Sequence, residues 1–114
     1  MKISFDINGV LDTYPEMFPF AQLLRTFGHE VGIVTGNASW AIPPEWNEQW
    51  DFIITCDSPE EEMRLSGHLA TTDMEKMKYW KSAVLKEQNV DLHFDDYADV
   101  MKGNVVRIGP PKNE

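Results

Sequence analysis

The chain of 114 residues has a single cysteine, Cys56, so no internal disulfide can form and a fold of this length must rest on its apolar core. That cysteine is read as a small buried apolar residue in a reducing compartment. No stretch approaches the roughly 20 apolar residues of a membrane helix. The opening MKISFDINGV has neither the long apolar run nor the small-residue cleavage site of a secretory signal, so a soluble cytoplasmic protein is expected. Basic residues are scarce, with 10 Lys and Arg against 19 Asp and Glu, for a formal charge of -9. Such a surface repels polyanions and disfavours broad capture of nucleic acid, while leaving room for a local phosphate pocket. Internal repeats, low-complexity tracts and linker-like shifts are also missing, and residues 1–114 read as one domain. The histidines His29, His68 and His93 share no metal-ligand spacing and are assigned to surface or packing.

What is present alternates. Lys2 to Asp6 reads as a strand ended by Asn8-Gly9, a pair that tolerates positive φ. Pro19 suits a helix start, Phe20, Leu23, Leu24 and Phe27 fall at i, i+3, i+4 and i+7, and Gly28 is a C-terminal stop. EVGIVT from Glu30 to Thr35 is a second strand, stopped by Gly36-Asn37. A loop with a short helix after Pro43-Pro44 leads to DFIITC, a third strand expected to be buried on both faces. Ser58-Pro59 with Glu61, and Thr72 with Glu75, mark two helix starts, the second helix running to about Gln88. VDLHF is a fourth strand ending at Asp95-Asp96, and NVVRI a short fifth. The fold class is therefore α/β: a three-layer sandwich with a mainly parallel, Rossmann-like sheet of about five strands. The stretch between Asp57 and Thr72 is too short for a cap domain. Tyr14, Trp40, Trp46 and Trp50 are assigned to packing, and Met63, Met74 and Met77 to core filling.

Ligands of such sheets bind beyond the carboxyl ends of the strands, where the polar residues of this chain gather. Asp6 with Asn8, Thr35 with Gly36 and Asn37, and Asp95, Asp96 and Asp99 all fall there. Carboxylates from two strand ends suit a hard cation such as Mg²⁺, which takes oxygen ligands and masks the repulsion of a phosphate. Thr35 can donate its hydroxyl to a phosphate oxygen, and the N–H groups around Gly36 and Asn37 open toward the same place. A cation comes from the helix before the fourth strand. At 1.5 Å per residue, about eleven residues bring it back along a strand of about 16 Å, which reaches Lys76, Lys78 and Lys81, with Lys81 preferred over Lys78.

The succession FDINGV, VGIVTGN, KSAVLKEQNV and HFDDYAD resembles the four motifs of the haloacid dehalogenase superfamily, in order and over nearly the whole chain, in a small capless form. The resemblance implies a Mg²⁺-dependent phosphatase that acts through an aspartyl-phosphate on Asp6. Thr35 and Lys81 would hold the transferring group, and Gly36 and Asn37 would flank it. Asp6, the backbone carbonyl of Asn8, and Asp95 with Asp96 or Asp99 would hold the metal. Phosphatases of this superfamily carry a second aspartate where this chain has Asn8. An amide does not exchange a proton near neutral pH, and a positioned acid/base contributes about 10²–10⁴ in rate, so turnover should be slow. The alternative is a catalytically degenerate phosphate-binding or interaction module. The resemblance also implies a phosphorylated substrate and, in capless relatives, large substrates or closure by oligomerisation.

Overall fold

The computed structural model describes residues 1–57, 73–97 and 104–110, with the backbone alone for residues 73–76. Five strands, β1 (Lys2–Phe5), β2 (Glu30–Val34), β3 (Phe52–Ile54), β4 (Leu92–Asp95) and β5 (Val105–Arg107), form one sheet in the order β3-β2-β1-β4-β5. Every pairing is parallel. The chain builds outward from β1 through β2 to β3, then returns to lay β4 against the other side of β1. The order reverses between β1 and β4, and a crevice opens at the carboxyl ends of strands at such a point.

Helix α1 (Met17–Thr26) joins β1 to β2, and α2 (Asp73–Glu87) precedes β4. Gly28, at φ 95°, ends α1 in a left-handed conformation, with its N–H bonded to the Arg25 carbonyl. The buried stripe of α1 differs from the expected one. Ala21, Met17, Phe18 and Leu24 face the core, whereas Leu23 is 51% and Phe27 73% exposed. The helix begins two residues ahead of Pro19.

Alternation along the strands sends side chains into two clusters. Ile3, Phe5, Val31, Ile33 and Phe94 pack with α1 and Trp50. Val34, Trp80, Val84 and Leu85 pack with Phe52, Ile54 and Val105, so this second cluster belongs to α2. β3 is an edge strand and each of its residues is only half-buried, which corrects the expectation of burial on both faces. Cys56 is half-buried at the margin of the second cluster, not deep in a core. Trp46 and Trp50 pack as expected against Phe18, but Trp40 is 80% exposed. The helix start expected at Ser58, together with Met63, Thr72 and the site candidate Asp99, lies outside the described residues. No helix among the described residues is long and apolar enough to cross a membrane.

Candidate functional site

β1 and β4 are in register with Phe5 beside Phe94, and the Asp6 N–H extends the ladder to the Phe94 carbonyl at 3.0 Å. The residues that follow, Asp6 and Asp95, therefore emerge side by side at the topological reversal. Asp6 leaves the strand with φ -80° and ψ 161°, and its Oδ1 accepts the Ile7 N–H at 2.8 Å. The chain turns back through Ile7–Leu11, where Gly9 has φ 77°. A side chain at Gly9 would be strained and would also run into the Asp96 carboxylate, so the glycine gives that carboxylate its place.

One oxygen from each of Asp6, Asp95 and Asp96 lies within 4.8 Å of the others, and all three residues are buried. Lys81 reaches in from α2, itself buried, with Nζ 2.8 Å from Asp95 Oδ2 and 3.2 Å from Asp6 Oδ2. Fully ionised, these four side chains sum to -2, the charge that one divalent cation offsets. The donor set is all oxygen, which suits a hard cation. The two strand ends and one helix thus form a metal-competent acidic triad with a lysine bridging two of its members.

The charges act on one another. Burial pushes the Asp6 carboxyl up to about 6, and Asp95 adds to the rise while Lys81 opposes it. Burial also works against ionised Asp95, but hydrogen bonding from His93 and the Lys81 charge prevail and hold its carboxyl well below the usual range. Burial alone would lower Lys81; the charges of Asp6 and Asp95 outweigh it and keep the ammonium protonated. Asp95 is anchored by three donors, with Lys81 Nζ and His93 Nε2 on Oδ2 and the Tyr97 N–H on Oδ1 at 3.0 Å.

A cleft of about 200 Å³ opens over this cluster, walled by Asn8, Gly36, Asn37, Met77, Lys78 and Tyr97. It is smaller than the roughly 300–1,000 Å³ of sites that enclose a whole drug-sized ligand, so it accommodates a reacting group with the rest of a ligand outside. Lys78 stands over Tyr97 at 5.7 Å from the ring centre. Asn8 is exposed at the mouth, and its Nδ2 donates to Asn37 Oδ1 at 2.9 Å, bridging the first and second strand ends.

Asp6, Asn8, Gly36, Asn37, Lys81, Asp95 and Asp96 therefore come together. Thr35 does not reach the cleft surface. It is fully buried, its N–H paired with Ile54 and its Oγ1 accepting the Asn37 N–H at 3.2 Å. The Asn37 amide, expected to face a phosphate, is turned inward to that hydroxyl. The side chain of Lys76 lies outside the described residues. Met77 lines the cleft as well as filling the core, and a Cβ at Gly36 would collide with its thioether.

Metal-ligand spacing does not single out His93, yet the fold sets it against the acidic cluster. It is 1% exposed, bonded to Asp95 through Nε2 at 2.9 Å and to Ser4 Oγ through Nδ1 at 2.7 Å. Burial lowers its pKa, so the ring is neutral at neutral pH. The available signal was its place two residues before Asp95 on one strand, which puts both on one face. His29 sits beside the Met1 amino group, away from the cleft, and His68 lies outside the described residues.

No family model, no curated protein and no solved structure matches this chain.

Proposed function

We propose that the chain is a small, capless Mg²⁺-dependent phosphatase of the haloacid dehalogenase type, a single-domain three-layer, Rossmann-like sandwich working through Asp6. The observation that carries this reading is the convergence of Asp6, Asp95 and Asp96 around Lys81 at the β1–β4 reversal. With its carboxyl pushed up to about 6, Asp6 is mainly ionised at pH 7 and able to attack. A carboxylate oxygen of Asp6 bonds to phosphorus as the ester P–O bond breaks, giving an aspartyl-phosphate and an alkoxide. Water then attacks phosphorus, phosphate departs and the Asp6 carboxylate is restored.

Lys81, already protonated between Asp6 and Asp95, presents positive charge where the phosphoryl oxygens gather. Asp6, Asp95, Asp96 and the Asn8 carbonyl would hold Mg²⁺, which would supply charge neutralisation for the phosphoryl group. Gly36 and Asn37 flank that group. Thr35 acts one step removed, by ordering the Asn37 backbone through its hydroxyl.

Asn8 supplies no proton to the alkoxide, so solvent must, and the rate falls by about 10²–10⁴ against a positioned acid. This residue also favours a second reading, a phosphate-binding module without turnover, because its amide is already committed to Asn37. The open, small cleft fits a phosphoryl group carried on a larger molecule, and the charge of -9 disfavours long nucleic acid. A cytoplasmic setting accords with the single cysteine, and pairing of copies is one way such a cleft would be closed.

Hydrolysis of an aryl phosphate with Mg²⁺ decides between the readings. Slow turnover that vanishes in Asp6→Asn and rises about 10²-fold or more in Asn8→Asp supports the enzyme. Mg²⁺ binding with no turnover in either the unchanged chain or Asn8→Asp leaves only the binding module.

A further inference from the structure

Ser4 on β1 and His93 on β4 are register partners in the centre of the sheet, 0% and 1% exposed. Two polar side chains at such a position cost free energy unless their hydrogen bonds are made, and apolar residues would cover α2 at no such cost. The bonds they make lead in one direction. Asp95 Oδ2 only accepts, so His93 Nε2 carries the hydrogen of that 2.9 Å contact. Lys81 Nζ already brings a positive charge to the same oxygen, which disfavours a second cation there. In the neutral ring Nδ1 is then an acceptor, and the 2.7 Å contact to Ser4 is filled by the serine hydroxyl hydrogen. The oxygen at the end of this chain is the one that also binds Lys81 Nζ.

We propose that Ser4 and His93 are positioning residues: the Ser4 hydroxyl holds the ring by donating to Nδ1, and His93, as the Nε2–H tautomer that Asp95 selects, aims the Asp95 carboxylate at Lys81 and at the divalent cation. The second half rests on the metal site of the proposed function. A ring that only filled space would not need to end on the carboxylate oxygen that Lys81 uses. Groups that orient a metal ligand in this way change metal affinity by about 10–100-fold when lost.

Calorimetric Mg²⁺ titration of the full chain, with nitrogen-15 shifts of the His93 ring, tests both halves. His93→Leu should weaken Mg²⁺ binding about 10–100-fold, and His93→Gln, whose amide nitrogen can occupy the Nε2 position, should recover to within about threefold of the unchanged chain. Ser4→Ala should keep the Nε2–H ring, shift the Nδ1 nitrogen signal as its hydrogen bond is lost, and weaken Mg²⁺ by about twofold to fivefold. A merely structural histidine would shift the urea midpoint and leave Mg²⁺ affinity alike in both His93 variants. Unchanged affinity in His93→Leu, or an Nδ1–H ring in the unchanged chain, overturns the proposal. Should His93→Leu not fold, Ser4→Ala carries the same two readouts. Should the unchanged chain bind no Mg²⁺, the proposed function and the metal half fall together; the hold of Ser4 on the ring is then upheld by a shifted Nδ1 signal in Ser4→Ala and overturned by an unaltered one.

Discussion

On the α1 side of the sheet, Phe5 stacks on Phe94 at 4.7 Å and meets Phe20 and Trp50 edge-on or tilted. On the α2 side the same two strands present Ser4, His93 and Asp95, with Lys81 descending onto them. β4 alone illustrates the division: in LHFD, Leu92 and Phe94 go to the aromatic cluster and His93 and Asp95 to the charged one. A period of two lets one strand serve both purposes, and a register slip of one residue would exchange them. One face gains free energy by excluding water; on the other the buried charge of Asp6 costs free energy, while the pairing of Asp95 with Lys81 and His93 favours the folded chain. The two faces should therefore answer substitution differently.

The largest effect is expected on the aromatic face. Phe5→Ala should cost about 3–5 kcal/mol in urea unfolding, because its ring is fully buried among three others, while Mg²⁺ affinity of the folded fraction stays unchanged. A fall in affinity along with stability would break the division between faces.

On the charged face the sign reverses. The Asp6 carboxyl is raised from 3.8 to about 6, so the folded chain favours its protonated form. That contribution is whole below about pH 4 and lost as pH rises through 6, which at about 1.4 kcal/mol per tenfold change amounts to about 3 kcal/mol. Asp6→Asn should therefore stabilise the metal-free chain by about 3 kcal/mol at pH 8 and by almost nothing at pH 4, and under the proposed function it should abolish phosphoryl transfer. Asp95 has the opposite sign, its carboxyl being depressed; the stability it lends is present above about pH 4 and fades in stronger acid. Unfolding curves at a series of pH values in chelator would read both.

Gly9→Ala should be intermediate, losing about 1–2 kcal/mol from positive φ and weakening Mg²⁺ through the displaced Asp96. The smallest effect is expected at Leu23, where Leu23→Gln should move stability by no more than about 0.5 kcal/mol because that side chain faces solvent. A loss of 2 kcal/mol there would show that the stripe read from sequence is the buried one after all.

Much of the fold was legible because apolar runs and Gly or Asn stops mark the strands locally. Asp6, Asp95 and Asp96 could be grouped from strand ends, and Lys81 by comparing helix rise with strand length. What stayed hidden depends on neighbours. Leu23 and Leu24 sit equally well on a helical wheel, and only the sheet beneath α1 selects between them. The third strand looks like a central one by hydrophobicity, yet nothing lies beyond it among the described residues. Thr35 has the right position along its strand, but its hydroxyl is taken by a bond two residues away. His93 escaped because its partner, Ser4, is 89 residues distant and becomes adjacent only through the β1–β4 register.

That same pairing has a kinetic meaning. Among the described strands β1 comes first in sequence, and its second neighbour, β4, comes only after β2 and β3 on the other side. Until residue 95 is available, β1 is an open edge carrying unpaired N–H and C=O groups, a template for association with other chains. Closing so long a loop is slow compared with forming the local β1-α1-β2 unit. The acidic triad spans that last closure, so a cation held there would favour the completed sheet over the partly assembled one and act as a late fastener in folding.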